Sequence, residues 1–377
     1  MGYVAVRGGG VAIEESLALL ERQRVSAGAA ATVAQIQASM PALVEQVMGE
    51  ASLYAPHLAA LALKQAQGSP EEAVFLLRAF RSTLERPYVS RVMETREMSV
   101  ERRISAAFKD VPGGQLLGAT RDYSHRLINF ALDDESPEAQ AQAEEALEAV
   151  LDEAAAAEGV DAEALAEKAQ ALGRLPKVLD YLREEGLIPS REDNDETPVD
   201  VTMEPLTFPA ARSARLQTLS RGMTQGVTAL GYAAIRGFGP AHPTVGELRQ
   251  GTVDVLVDGP FGSDSAEDAY YVGCVPVTEV ESVFAVDRVE NGTPHLGFEI
   301  GYGAVMGAQE TKAIAMSVLD FCLEQGNEEY PTQNEEFVLY HVDGVEATGF
   351  VSHLKLPHYV TFQSKLSSVR STVKGDE

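Results

Sequence analysis

The stretch "SPEEAVFLLRAFRSTLER", residues 69–86, carries a full set of helix signals and decides the first part of the fold. Ser69 is a suitable N-cap, Pro70 occupies the first helical position, and Glu72 has the capping-box spacing. Apolar side chains then recur at helical spacing, at Ala73, Leu76, Leu77, Phe80 and Leu84. The stretch therefore predicts an amphipathic helix that packs through this stripe.

Two arginines lie off the stripe. Arg78 and Arg81 are three residues apart, so a helix places them side by side. We expect them either at a solvated basic edge or in contact with a phosphate or a partner.

Outward from this helix, the chain divides into three regions by composition. Residues 1–132 are helix-rich. Residues 133–200 hold an acidic Ala/Glu-rich insertion, a short helix and a linker, and residues 201–377 mix strands, glycine loops and helices. This order predicts an α+β fold, with a helix-rich N-terminal region followed by a mixed α/β C-terminal region.

Individual elements outside the first helix follow from local patterns. Tyr3–Val6, Thr252–Val257 and Glu335–Val342 read as strands because apolar, β-branched and aromatic residues dominate them. Gln309–Gly326 reads as a helix. The insertion, rich in alanine and glutamate, is predicted to be a partly helical surface segment that carries no chemistry.

Composition and charge exclude several classes of protein. The 377 residues carry a formal net charge of −27, which argues against general nucleic-acid binding but allows a local anion site for a nucleotide. No apolar run approaches the roughly 18 residues that span a bilayer, and the first residues do not resemble a secretory signal. Two cysteines cannot form a disulfide framework, so we expect a cytoplasmic protein.

Glycine-rich stretches offer candidate anion sites. Gly301, Gly303 and Gly307 precede a predicted helix, where exposed N–H groups could bind an anion, although a plain tight turn is the favoured explanation. Two further stretches combine glycines with charged side chains, which suits either a sugar-phosphate pocket or a loop held by ion pairs. Their candidate residues are Lys109, Arg121, Asp122, His125, Arg236, Glu247 and Arg249.

The stretch "FVSHLKLPHYVTFQ" raises the question of a metal site. His353 and His358 are five residues apart, and Pro357 opposes a continuous helix, so the pair requires a turn or an extended loop. Two imidazoles supply half of a tetrahedral zinc site. From the residues alone, two hydrogen-bonded turn histidines remain the alternative.

Several stretches together resemble one family. "YVAVRGG", "ERRISAAFKDVPGGQLLGATRDYSHRL", "RGFGPAHPTVGELRQGTVDV", "GYGAVMGAQETKAIAMSVLD" and "FVSHLKLPHYVTFQ" are similar, in the same order, to the PhnI family of the bacterial carbon–phosphorus lyase system. The resemblance covers nearly the whole chain, with an acidic insertion that is longer here.

The resemblance implies a function in phosphonate breakdown. A PhnI-like protein is expected to transfer the ribose triphosphate of ATP, with Mg²⁺, to methylphosphonate and to release adenine, together with PhnG, PhnH and PhnL. It also implies a core complex with PhnG, PhnH and the iron–sulfur enzyme PhnJ. Two alternatives stay open, a purine nucleosidase that uses water and a non-catalytic scaffold.

The resemblance also gives the candidate residues roles. Cleaving an N-glycosidic bond develops positive charge on the ribose and needs an acid for the leaving base. We therefore expect Glu247, Asp122 and His125 to be catalytic. The predicted phosphate-binding residues are Arg236, Arg249, Lys109 and Arg121. His353 and His358 are expected to bind Zn²⁺ at the contact with PhnJ.

Overall fold

The computed structural model describes residues 9–26, 28, 31–121, 126–158, 176–189, 196–239, 241–259, 268–290 and 292–373. The predicted strand at Tyr3–Val6 lies outside these residues. The chain separates into two compact units. The first unit comprises residues 1–85, 197–239 and 322–377, and the second comprises residues 86–196 and 240–321.

Helices form the first unit and a sheet organises the second. The described α-helices are α1 Gly9–Ser26, α2 Val33–Ser39, α3 Pro41–Ala51, α4 Pro56–Gln65, α5 Pro70–Arg81, α6 Pro137–Glu158, α7 Asp180–Glu184, α8 Arg212–Arg221, α9 Thr224–Ala233, α10 Glu310–Gln325, α11 Glu335–His341, α12 Gly344–Ser352 and α13 Tyr359–Val373. The described strands are β1 Ser99–Ile104, β2 Thr244–Asp258, β3 Ala269–Glu290 and β4 Thr293–Met306. The predicted α+β class is confirmed.

Helix α5 confirms the opening prediction and part of its packing face. The Ser69 hydroxyl accepts a hydrogen bond from the Glu72 N–H, and the helix ends at Arg81. Ala73 and Leu77 are buried as predicted, together with Val74. Phe80 and Leu84 are each 43% exposed, so this end of the predicted stripe lies off the core.

The two arginines of α5 are partly buried and do not form a solvated edge. Arg78 forms two hydrogen bonds with the Asp343 carboxylate, at 2.7 and 2.9 Å, and Arg81 donates to the Ala51 carbonyl at 2.7 Å. Both contacts lie inside the first unit. The expectation of a solvated edge was therefore wrong, and contact with a phosphate or a partner stays a prediction.

The predicted strand at Glu335–Val342 is a helix, α11. The Asn334 side chain accepts a hydrogen bond from the Phe337 N–H and caps the helix, and Val338 and Leu339 are buried. Aromatic and β-branched residues favoured a strand in the sequence. The N-cap and the packing of one helical face override that preference.

The sheet of the second unit is antiparallel, in the order β1-β2-β3-β4. Helix α10 packs on one face. A Cβ at Gly301 or Gly303 would overlap the carbonyl oxygen of Ser317 or Ala313, so these glycines let the helix approach the strand. They lie within β4 and form no anion-binding loop, contrary to the functional alternative. Gly307, with φ of 84°, supplies the turn that leads into α10.

Residues 176–188, which we call the covering segment, pack in the second unit beside β3. Val178, Leu179, Leu182 and Ile188 are buried in one cluster with Val283. The short helix predicted within residues 133–200 is present as α7, and Gly186, with φ of 71°, follows its C-terminal end. The covering segment thus buries apolar side chains next to a sheet whose charged residues are described below.

The insertion is helical where it is described, as α6. Leu147, Val150 and Leu151 are each more than half exposed, at 59%, 61% and 58%. Residues 159–175 lie outside the described residues. Among the residues that the structure describes, no helix is long and apolar enough to cross a bilayer.

Deleting residues 138–172 should change the free energy of unfolding by no more than about 1 kcal/mol, since the segment contains few large apolar residues and loop closure depends weakly on length. Chemical denaturation measures this. Deletion of residues 177–188, which removes buried Leu179 and Leu182, is the control that should prevent folding. If the 138–172 deletion also unfolds the chain, the insertion has a packing role.

Candidate active site and metal-binding residues

One face of the second unit's sheet carries charged side chains at alternate positions. Glu247 and Arg249 in β2 lie opposite Glu281 and Glu279 in β3. Successive side chains on a strand point to opposite faces, so these four share one face. Together with residues from β1, the covering segment and the 95–97 turn they form what we call the ion-pair network: Arg96, Arg103, Lys177, Asp180, Arg183, Glu247, Arg249, Glu279 and Glu281.

Both carboxylate oxygens of Glu247 accept hydrogen bonds from neighbouring residues. Its Oε1 accepts from Arg103 Nε at 2.6 Å and its Oε2 accepts from the Val178 N–H at 2.9 Å. Arg103 also donates to the carbonyl oxygens of Pro112 and Pro176, at 2.7 and 3.1 Å. Both charged side chains are at most 3% exposed. A ribose could reach Glu247 only if the covering segment moved away.

Glu279 is the most highly connected carboxylate of the network. Its Oε1 accepts hydrogen bonds from Lys177 Nζ at 2.8 Å, from the Thr95 hydroxyl at 2.7 Å and from the Tyr302 hydroxyl at 2.9 Å. Arg249 Nε lies 3.5 Å from its other oxygen. Glu279 therefore ties β2, β4 and the covering segment to β3.

The pKa of Glu279 shows which effect dominates there. Burial alone would raise the pKa of this carboxyl, but the charges of Lys177 and Arg249 and the Thr95 hydrogen bond outweigh burial and lower the pKa from 4.5. The Asp180 pKa is likewise lowered despite burial, by Arg96 and Arg183. Both carboxylates are therefore ionised, and the network is a set of formed ion pairs.

Two buried atoms of the network make no hydrogen bond among the described residues. They are Nε of Arg249 and Oε2 of Glu281. Arg249 donates through Nη2 to the Thr95 carbonyl, and its Nε lies 3.5 Å from Glu279, which attracts it through charge. The network has an excess of one cation over its carboxylates, so it could accept an oxyanion chemically, but in this conformation its groups are paired with one another.

The predicted site residues are only partly brought together. Glu247 and Arg249 share the network, whereas Lys109 and Arg121 are exposed in the loop region after β1 of the same unit. Arg236 belongs to the first unit, where its guanidinium lies 5.9 Å from the centre of the Tyr232 ring. Their proposed roles stay predictions, and Asp122 and His125 lie outside the described residues.

His353 and His358 do lie together, in the first unit. Their ring centroids are 5.5 Å apart. A 3₁₀ turn at His353–Lys355 follows α12, and His358 directly precedes α13, so the predicted turn is confirmed.

The hydrogen bonds of this pair leave one nitrogen on each ring that a metal could bind. Nδ1 of His353 lies 2.5 Å from the Phe350 carbonyl, and Nδ1 of His358 lies 2.6 Å from the Leu356 carbonyl. A carbonyl only accepts, so each Nδ1 carries a proton and each Nε2 is the nitrogen left to bind a metal. Metal-binding histidines are oriented in this way. The described residues contain no group of three or more His, Cys, Asp or Glu side chains that could hold a metal, so a metal at this pair would need further ligands from elsewhere.

Sequence reasoning missed the partners of Glu247 and Arg249. Arg103, Val178 and Glu279 come from three separate stretches, and only long-range pairing joins them to Glu247 and Arg249. A signal existed at Glu279 and Glu281, where charges alternate with apolar residues in a strand of the sheet. That pattern normally marks a solvated face, and here the covering segment buries it.

Comparison with known proteins identifies the family. The family described as bacterial phosphonate metabolism protein (PhnI) matches residues 2–376. The chain belongs to the PhnI family. A relative from Escherichia coli K12, named alpha-D-ribose 1-methylphosphonate 5-triphosphate synthase subunit PhnI, is 42% identical over 98% of this chain and 97% of its own length. A relative from Rhizobium meliloti 1021 with the same name is 42% identical over 98% of this chain and 94% of its own length. The PhnI resemblance seen in the sequence is therefore confirmed.

Proposed function

We propose that this member of the PhnI family transfers the ribose triphosphate moiety of ATP, with Mg²⁺, to methylphosphonate and releases adenine. The observation that carries the proposal is the 42% identity over 98% of the chain to two relatives named as subunits of a ribose 1-methylphosphonate 5-triphosphate synthase. The chain would act in the cytoplasm with PhnG, PhnH and PhnL, and in a core complex with PhnG, PhnH and PhnJ.

The chemistry assigns roles to this chain's residues. Departure of adenine leaves positive charge on the ribose, which a carboxylate such as Glu247 would stabilise. Because both Glu247 oxygens accept hydrogen bonds in the described conformation, this role requires displacement of the Val178 N–H. Asp122 or His125 would protonate the leaving base. Phosphate groups would bind the proposed cations Lys109, Arg121, Arg236 and Arg249.

We further propose that His353 and His358 bind Zn²⁺ where the chain meets PhnJ. The free Nε2 of each ring supports this, as does the 5.5 Å between their centres. Zinc, when bound, would supply a Lewis acid or a fixed link between subunits. The histidines themselves would hold the ion, and PhnJ or water would complete its coordination.

A non-catalytic scaffold is the second candidate, and the paired state of Glu247 and Arg249 favours it. Base release separates the two. The purified chain should release adenine from ATP if it is an enzyme, and in the complex methylphosphonate should accelerate this release if the chain is a transferase. Release that needs no methylphosphonate would indicate a nucleosidase that uses water. No release by the purified chain, while the complex does release adenine, would leave the scaffold.

A further inference from the structure

The first unit contains a cavity of about 380 Å³ that none of the candidate residues above explains. It lies beside the C-terminal end of α8, helix α11 and the first turn of α12. Its size falls within the range of about 300–1,000 Å³ typical of small-molecule sites. The lining residues that matter here are Glu204, Leu206, Thr218, Arg221, Tyr340 and Glu346.

Arg221 is the cation of this cavity, and its hydrogen-bonding capacity is not used up. One Nη donates to the Val201 carbonyl at 2.7 Å. The Nε is buried and has no hydrogen-bond partner among the described residues. A guanidinium offers five N–H donors in a planar fork that matches phosphate oxygens. Arg221 therefore has donors to offer a ligand.

Charges of both signs surround Arg221. Arg78 and Arg81 of α5 lie close enough to repel it, and the nearby Asp343 carboxylate is engaged by Arg78 at 2.7 Å. Burial, followed by repulsion from Arg78, lowers the Arg221 pKa to about 10, although Asp343 and Asp200 oppose this. A buried guanidinium whose charged form is disfavoured in this way is stabilised when an anion binds beside it.

The remaining walls suit a sugar and a base. Glu204 and Glu346 are exposed carboxylates that can accept hydrogen bonds from sugar hydroxyls. Leu206, Val342 and the Tyr340 ring give an apolar and aromatic wall. One cavity therefore combines a cation, carboxylates that can accept hydrogen bonds from sugar hydroxyls, and an apolar wall.

We infer that this cavity binds the phosphorylated ribose of a nucleotide, with Arg221 on a phosphate oxygen and the Leu206–Tyr340 wall beside the base. The inference deepens the proposed function, on which the choice of nucleotide rests. It places nucleotide recognition in the first unit, around a residue that sequence patterns did not indicate, and is therefore an alternative to the roles proposed above for Glu247 and for the second-unit cations Lys109, Arg121 and Arg249.

The test compares ligands with and without phosphate. Binding of ATP, ribose 5-phosphate and adenosine to the whole chain is measured by calorimetry, for the wild type, Arg221→Gln and the exposed control Arg370→Gln. Arg221→Gln should weaken ATP and ribose 5-phosphate at least tenfold, since charge-assisted bonds to phosphate are lost, and should leave adenosine within about twofold. Arg370→Gln should match the wild type throughout.

Thermal unfolding without ligand separates a binding role from a structural one. Because burial and repulsion from Arg78 outweigh the attraction of Asp343 and Asp200, Arg221→Gln should keep or raise the melting temperature while losing the ATP-induced rise. Equal weakening of ATP and adenosine, or unchanged ATP affinity, would overturn the inference.

A second variant covers the case in which Arg221→Gln does not fold. Leu206→Trp fills the cavity from its apolar wall and leaves Arg221 in place, so it should abolish ATP binding. Wild-type ATP affinity in that variant would overturn the inference. If Arg221→Gln binds ATP normally and the complex releases adenine, nucleotide binding in the cavity is contradicted and the proposed function stands. If ATP binding depends on Arg221 but no adenine is released, the cavity binds nucleotide and the proposed function is contradicted.

Discussion

A complex in which His353 and His358 are both alanine should contain zinc only at background level, while adenine release from ATP persists. Each ring offers one free Nε2 to a metal, since Nδ1 donates to a backbone carbonyl. Loss of both would leave half of a four-ligand zinc shell. Elemental analysis of the purified complex measures the zinc, and base release measures the retained step.

The matched control for this variant removes two other histidines. His341 also has its Nδ1 on a backbone carbonyl, that of Phe337 at 2.6 Å, but it lies in α11. The His57→Ala, His341→Ala chain should therefore keep its zinc. If the His353→Ala, His358→Ala complex keeps its zinc, the two histidines do not bind the metal and are only hydrogen-bonded turn residues.

Replacing Glu279 by Gln should lower the free energy of unfolding by about 3–5 kcal/mol. The carboxylate is 3% exposed and meets Lys177, Arg249 and two hydroxyls, so its neutralisation leaves buried cations without their counterion. Urea denaturation followed by circular dichroism measures the loss.

A surface pair provides the control for Glu279. Asp258 pairs with Arg91 at 2.5 Å, but its side chain is 59% exposed. Asp258→Asn should cost less than about 1 kcal/mol because water screens the pair. If Glu279→Gln lowers the free energy of unfolding as little as Asp258→Asn does, the ion-pair network contributes no more to stability than surface ion pairs do.

At acidic pH, the wild type and Glu279→Gln should have the same free energy of unfolding. The folded pKa of Glu279 lies below 4.5, so its ion pairs stabilise the fold above that pH. Their contribution is lost as the pH falls from 4.5 through the folded pKa. The two unfolding free energies should therefore converge on acidification, and a constant gap would contradict the lowered pKa.

The sequence predicted elements where local signals agreed and failed where distant contacts decided. Helix α5 begins at Pro70 as its cap and proline indicate. Helix α11 was read as a strand because its side chains favour one, and its Asn334 cap was overlooked. Gly301 and Gly303 resembled a loop, yet their lack of a Cβ serves the contact with α10, which only the packed sheet reveals.

The same limit applies to the candidate site. The turn at His353 and His358 could be predicted because Pro357 acts locally. Glu247 and Arg249 were singled out as an open pocket, but strand pairing and the covering segment enclose them with Arg103 and Glu279. Sequence spacing does not encode which residues 69 or 144 positions away will pair with Glu247.

The most direct test of the proposed function is phosphorus NMR of the product formed from ATP and methylphosphonate by the chain with PhnG, PhnH and PhnL. We predict a phosphonate resonance that shifts on ester formation at ribose C1, together with an intact triphosphate and one adenine released per product. Unshifted methylphosphonate, with adenine and free ribose triphosphate as products, would contradict the transferase and leave hydrolysis by water.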